Sequence, residues 1–172
     1  GINTFLTNTV LCRVINKYWR QDIGNIKFIS DCGGASSLLE GAKMSIDSGA
    51  TACYVHGGYA DSFAAEGKFD EIQKVVEFIR QNGLPAGIGG HKIETIKGCV
   101  DQGMKPDFWM KTLHHHDYWS ARPDEAGNDN NFCLKPQETI EYMEALDEPW
   151  IAFKVMAAGA INPKEASVNR VP

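Results

Sequence analysis

At 172 residues, with 43% apolar and 23% charged side chains, the chain has the composition of one globular domain and not of a disordered segment. A formal net charge of -5 without any basic run argues against nucleic acid and anionic membrane as partners, and no apolar stretch approaches the roughly 20 residues of a membrane helix. Five cysteines, Cys12, Cys32, Cys53, Cys99 and Cys133, are odd in number and lack CxxC spacing, so they read as reduced, mostly buried thiols.

In chain order, a short apolar strand is expected over 3–6. Asn8 or Thr9 can then cap a helix whose apolar face is Val10, Leu11, Val14, Ile15, Tyr18 and Trp19. A strand over 26–30 runs into Asp31-Cys32-Gly33-Gly34. Ser37 and Glu40 have capping-box spacing ahead of a helix with Leu38, Leu39, Ala42 and Ile46, and Gly49 stops it. A strand over 52–55 ends in His56-Gly57-Gly58, read as a turn. Phe69, Ile72, Val75, Val76 and Ile79 give the strongest helical periodicity, stopped by Gly83. A strand over 85–89 leads to Gly90-His91, and Ile93, Ile96 and Val100 mark the next helix up to Gly103. Residues 107–116, DFWMKTLHHH, pass abruptly from an apolar strand to Lys111 and three histidines. A polar loop over 117–135 follows. Pro136 suits a first helical turn, with Ile140, Met143 and Leu146 on the apolar face. A last strand over 150–156 precedes Ala157-Ala158-Gly159-Ala160.

Alternating strands and helices of this length predict an α/β fold with parallel strands and right-handed crossovers. Strand starts near 3, 26, 51, 85, 107 and 150 are about 30 residues apart, the pitch of a (β/α)8 TIM barrel of about 250 residues. About six βα units are countable. The expectation is therefore a single domain over 1–172 that is an incomplete parallel barrel, short of about one strand at each end. An open doubly wound sheet is the alternative. Unpaired apolar edges would make a homo-oligomer one way to cover them.

All five histidines, His56, His91, His114, His115 and His116, fall at strand ends or within a few residues after them. Asp31 and Lys154 hold equivalent places. In a parallel barrel those ends converge on one face, where active sites of such folds lie. Lys154 and Lys111 are candidates for a Schiff base, or for electrostatic stabilisation, because a desolvated or paired ammonium loses pKa. His56, His91 and His114 are candidate acid–base groups, with Asp31 orienting one of them. Asp31, His56, His91 and His114 could instead hold a divalent ion such as Zn²⁺, although no two of them have a diagnostic short spacing. Gly57, Gly58, Gly90 and Gly159 follow strands and would let backbone N–H groups approach an anion, with Asp31 and His115 beside it.

The segments HGGYAD (56–61), GIGGHKIETI (87–96), DFWMKTLHH (107–115) and AFKVMAAGAI (152–161) resemble a family of bacterial TIM-barrel proteins known mostly as uncharacterised sequences. The resemblance covers nearly the whole chain. It implies a barrel, a longer full-length chain and, in some members, an export signal; the cytoplasm is otherwise the expected location. More distantly, a lysine in a late strand followed by a glycine-containing loop is similar to class I aldolases. Three functions are expected in order. The first is a lyase of aldolase type, or an isomerase, for a small oxygenated or phosphorylated substrate. The second is a metal-dependent hydrolase or isomerase, and the third a non-catalytic barrel that binds a ligand or partner.

Overall fold

The computed structural model describes residues 2–22, 24–115, 118 and 133–161. Within them, six parallel strands lie in sequential order: β1 (Thr4–Thr7), β2 (Lys27–Ser30), β3 (Ala52–Val55), β4 (Ala86–Gly90), β5 (Phe108–Thr112) and β6 (Trp150–Phe153). Each strand pairs with the next one in the chain. The order never reverses, as a doubly wound sheet requires, and the sheet curls into a half-barrel.

Between the strands run α1 (Cys12–Trp19), α2 (Leu38–Asp47), α3 (Gly57–Ala65), α4 (Phe69–Gln81), α5 (Ile93–Asp101) and α6 (Pro136–Glu144). The punctuation works largely as expected. Ser37 Oγ accepts from Glu40 N at 3.2 Å, Pro136 opens α6, and Gly49, Gly83 and Gly103 take the positive φ that ends a helix. Among the described residues, no helix is long and apolar enough to cross a membrane.

The strands are apolar on both sides because each side has its own cover. Toward the helices, Phe28, Cys53, Val55, Ile88 and Trp109 pack on Ile72, Val75, Val76 and Ile79 of α4 and on Ile96 of α5. Burying each of those aliphatic chains stabilises the fold by roughly 1.5–3 kcal/mol. On the inner, concave side sit Ala52, Phe108 and Met110, with Ile29, Tyr54, Ile151 and Phe153 around them. All five cysteines are free and buried, as expected.

Three local expectations are corrected. The His56-Gly57-Gly58 turn is instead the start of a helix, α3, so two helices separate β3 from β4. Glycine is a poor helix former. Here the absence of Cβ atoms lets α3 press onto β4, with Ala60 fully buried beneath it. The strand expected over 150–156 ends at Phe153, because Lys154 takes φ +56° and turns the chain out of the sheet. In α1 the buried positions are Cys12 and Ile15, whereas Val10, Leu11 and Val14 are about half exposed. Residues 9–11 form a separate 3-10 turn capped by Asn8, which rotates the expected stripe out of phase.

Candidate active site

The C-terminal strand ends surround a pocket of about 600 Å³ lined by Asp31, Tyr54, His56, Gly57, Gly58, Asp61, His91, Lys92, Phe153 and Lys154. Asp31 follows β2, His56 follows β3, His91 lies just past β4 and Lys154 just past β6. The sheet therefore brings together side chains up to 123 positions apart, from Asp31 to Lys154 (154 − 31).

The best-built part of the site is His91. Its ring Nδ1 lies 2.8 Å from Asp61 Oδ2. The same carboxylate accepts the His91 N–H at 3.2 Å, the Lys92 N–H at 3.4 Å and the Thr95 hydroxyl at 2.6 Å. Asp61, one turn into α3, thus also caps α5, whose own N-cap residue supplies no side-chain bond. Burial by itself would raise the Asp61 carboxyl. The bonds from the His91 ring and Thr95 outweigh it, and Asp61 is held below the ordinary carboxylate value. An ionised carboxylate only accepts, so Nδ1 carries a ring proton, and whenever the ring is neutral Nε2 is its basic nitrogen. Phe153 packs edge-on against the ring, with centroids 5.4 Å apart. Gly57 leaves the ring its space: a Cβ there would come within 3.1 Å of Cε1 and 3.2 Å of Nδ1.

His56 is arranged the opposite way. It caps α3 through its ring, Nδ1 accepting from Gly58 N at 3.1 Å. Its proton therefore sits on Nε2, which lies 4.0 Å from Asp31 Oδ2. Asp31 Oδ1 accepts from Gly33 N at 2.8 Å. Burial raises the Asp31 carboxyl, and the Gly33 bond and His56 oppose that rise only in part. The site accordingly holds two carboxyl–imidazole pairs of opposite tautomer.

Lys154 lines the pocket from a left-handed backbone conformation, which costs a side-chain-bearing residue roughly 1–2 kcal/mol. Such strain is characteristic of functional positions. Lys111 is placed differently from what the sequence suggested. It is fully buried, does not line the pocket, and donates to the carbonyls of His91 at 2.6 Å and Thr112 at 2.8 Å. Burial lowers it to about 8.

His114 and His115 also lie outside the pocket lining. His114 is buried, its Nδ1 3.1 Å from His115 O, and both rings pack against Tyr118. His116 is outside the described residues. Three N–H groups at these glycine segments already have acceptors: Gly58 N–H serves His56 Nδ1, and the His91 and Lys92 N–H groups just after Gly90 serve Asp61. Gly90 and Gly159 do not line the pocket. Asp31, His56 and His91 share the pocket, but among the described residues no group of three or more His, Cys, Asp or Glu side chains is set to hold a metal ion.

No protein-family model and no curated protein matches the chain.

Asp61, Tyr54, Lys92 and Phe153 are site residues that the sequence reading missed. Asp61 stands within the quoted HGGYAD segment, four residues after Gly57. Recognising α3 as a helix would have put it on the same face as Gly57, toward His91.

Proposed function

We propose that the protein is an enzyme of the (β/α)8 TIM-barrel class that moves a proton next to a carbonyl in a small oxygenated substrate, as an isomerase or an aldol-type lyase does. The observation that carries this reading is the Asp61–His91 pair, 2.8 Å apart, sharing one pocket with the oppositely protonated Asp31–His56 pair. Enzymes that shuttle protons need a base and an acid together, and environments that set two like groups apart supply them.

In this mechanism His91 Nε2 takes the proton from the carbon beside the carbonyl. The imidazolium that forms is stabilised by Asp61 at Nδ1. Lys154 supplies positive charge to the oxygen that becomes enolate-like. His56 Nε2–H, staying a neutral donor, hydrogen-bonds the substrate oxygen on the other side. Asp31, whose carboxyl burial raises, stands beside it as the acid, and the proton held on His91 returns to the neighbouring carbon. Phosphorylated substrates fit as well, since Lys92 adds a second ammonium at the rim. Proton transfer is favoured over imine formation at Lys111: its lowered pKa suits a Schiff-base amine, but it is enclosed and does not line the pocket.

The test is proton exchange. The protein is incubated in D2O with a panel of hydroxy-aldehydes and hydroxy-ketones, with and without phosphate, and carbon-bound deuterium is followed by NMR. Exchange in at least one member is expected, falling about 10²–10⁴-fold in His91→Gln. No exchange across the panel, or full exchange in His91→Gln, would refute the reading; a ligand bound without exchange would mark a binding protein.

A further inference from the structure

Lys111 is a buried cation that the proposed chemistry does not use. Trp109 of β5 belongs to the helix-side core and Met110 to the inner face. Strand alternation therefore sends Lys111 to the helix side. Its ammonium forms no ion pair with a carboxylate among the described residues. Instead it spans two carbonyls from different segments, His91 O at 2.6 Å and Thr112 O at 2.8 Å.

An apolar chain of Lys111's length would fill the same space without burying a charge, so stability alone does not call for an ammonium here. The His91 backbone shows what it does. Asp61 holds the His91 N–H, Lys111 holds the His91 carbonyl, and Asp61 again holds the ring at Nδ1. A residue fixed at both peptide ends and at its side chain has little freedom to rotate. Removing the carbonyl anchor frees the peptide plane between His91 and Lys92, and with it the Lys92 N–H bond to Asp61.

We propose that Lys111 is a positioning residue that ties the β4–α5 junction to the end of β5 and so keeps the His91 ring in its Nδ1–H form against Asp61. The proposal rests on His91 being the base described above, but its test needs no substrate. Asp61 of α3, Glu94 of α5 and Cys133 ahead of α6 are the titratable groups whose charge reaches the ammonium.

The experiment is NMR on ¹⁵N,¹³C-labelled protein, comparing wild type with Lys111→Met at pH 7. In wild type, two-bond ring spectra should show His91 as a single Nδ1–H tautomer. In Lys111→Met the two ring nitrogens should shift toward each other as both tautomers populate, and the His91 and Lys92 amides should exchange about tenfold faster or more. An unchanged tautomer with unchanged amide exchange overturns the proposal. Where the variant does not fold, wild type decides: the His91 and Thr112 carbonyl ¹³C shifts should titrate together with Lys111 Cε, at about 8. Carbonyls that do not follow the lysine overturn it. A positive result here beside a negative deuterium screen would discard the proposed reaction and keep the anchor.

Discussion

The buried ammonium of Lys111 has a consequence for stability that can be measured without knowing the substrate. Its pKa is lowered from 10.5 to about 8, first of all by burial, against smaller upward pulls from Cys133, Asp61 and Glu94. Unfolded chains therefore bind this proton more tightly than folded ones. Between pH 8 and 10.5 the folded lysine is neutral while the unfolded one is still charged, so folding stability rises with pH through that window. Integrating the proton linkage between those two pKa values, the gain from pH 7 to 9.5 is about 2 kcal/mol, approaching about 3 kcal/mol above pH 10.5. Burial raises the Cys12, Cys99 and Tyr54 groups, the Cys53 hydrogen bond and then burial raise Cys32, and all four oppose the trend at high pH. They are present in both proteins when wild type is compared with Lys111→Met, so they cancel in the difference. The assay is urea unfolding followed by circular dichroism at pH 7.0, 8.0, 9.0 and 9.5. At pH 7 the two proteins should be of similar stability, because the variant loses two hydrogen bonds and one desolvated charge. By pH 9.5 wild type should have gained about 2 kcal/mol on the variant. A difference that stays flat across this range would show that Lys111 is not desolvated in the folded state.

Asp31→Asn should raise the unfolding midpoint at pH 7, since it removes a carboxylate whose ionisation burial opposes and keeps the acceptor for Gly33 N; a lowered Tm would show that the charge is structural. The same variant should lose deuterium exchange. Gly57→Ala should leave the Tm within a few degrees but displace the His91 ring, because the new methyl meets Cε1 at 3.1 Å; a crystal structure with the ring unmoved would contradict this. Arg80→Ala should cost about 1 kcal/mol or less in urea unfolding, since the pair is solvent-screened, without touching the exchange reaction. Its guanidinium holds both Asp107 oxygens at 3.1 Å and Lys105 O at 2.6 Å, at the N-terminal end of β5, away from the pocket. A loss of exchange at full stability would place that pair in the functional machinery instead.

The sequence by itself determined the strand–helix alternation, and the structure follows it closely. Hydrophobic period and glycine stops are local signals, so β3 lies where it was expected and Gly49, Gly83 and Gly103 end their helices. The same local signals put Asp31, His56, His91 and Lys154 at strand ends, and parallel strands carry such ends to one side, where these four line a single pocket. What stayed hidden depended on contacts between distant segments. α3 was missed because two glycines at its start lower its helical propensity and mask its beginning; packing on β4 and the His56 cap add the stability. With α3 unseen, Asp61 could not be recognised as the partner of a histidine 30 residues away. Lys111 could not be separated from Lys154 by pattern, since both follow apolar residues near strand ends. Strand alternation turns Lys111 to the helix side, while a left-handed turn at Lys154 brings that lysine into the pocket. Sequence period reports which residues are near the rim; the twist of a single φ and the packing of one helix decide which of them face the substrate.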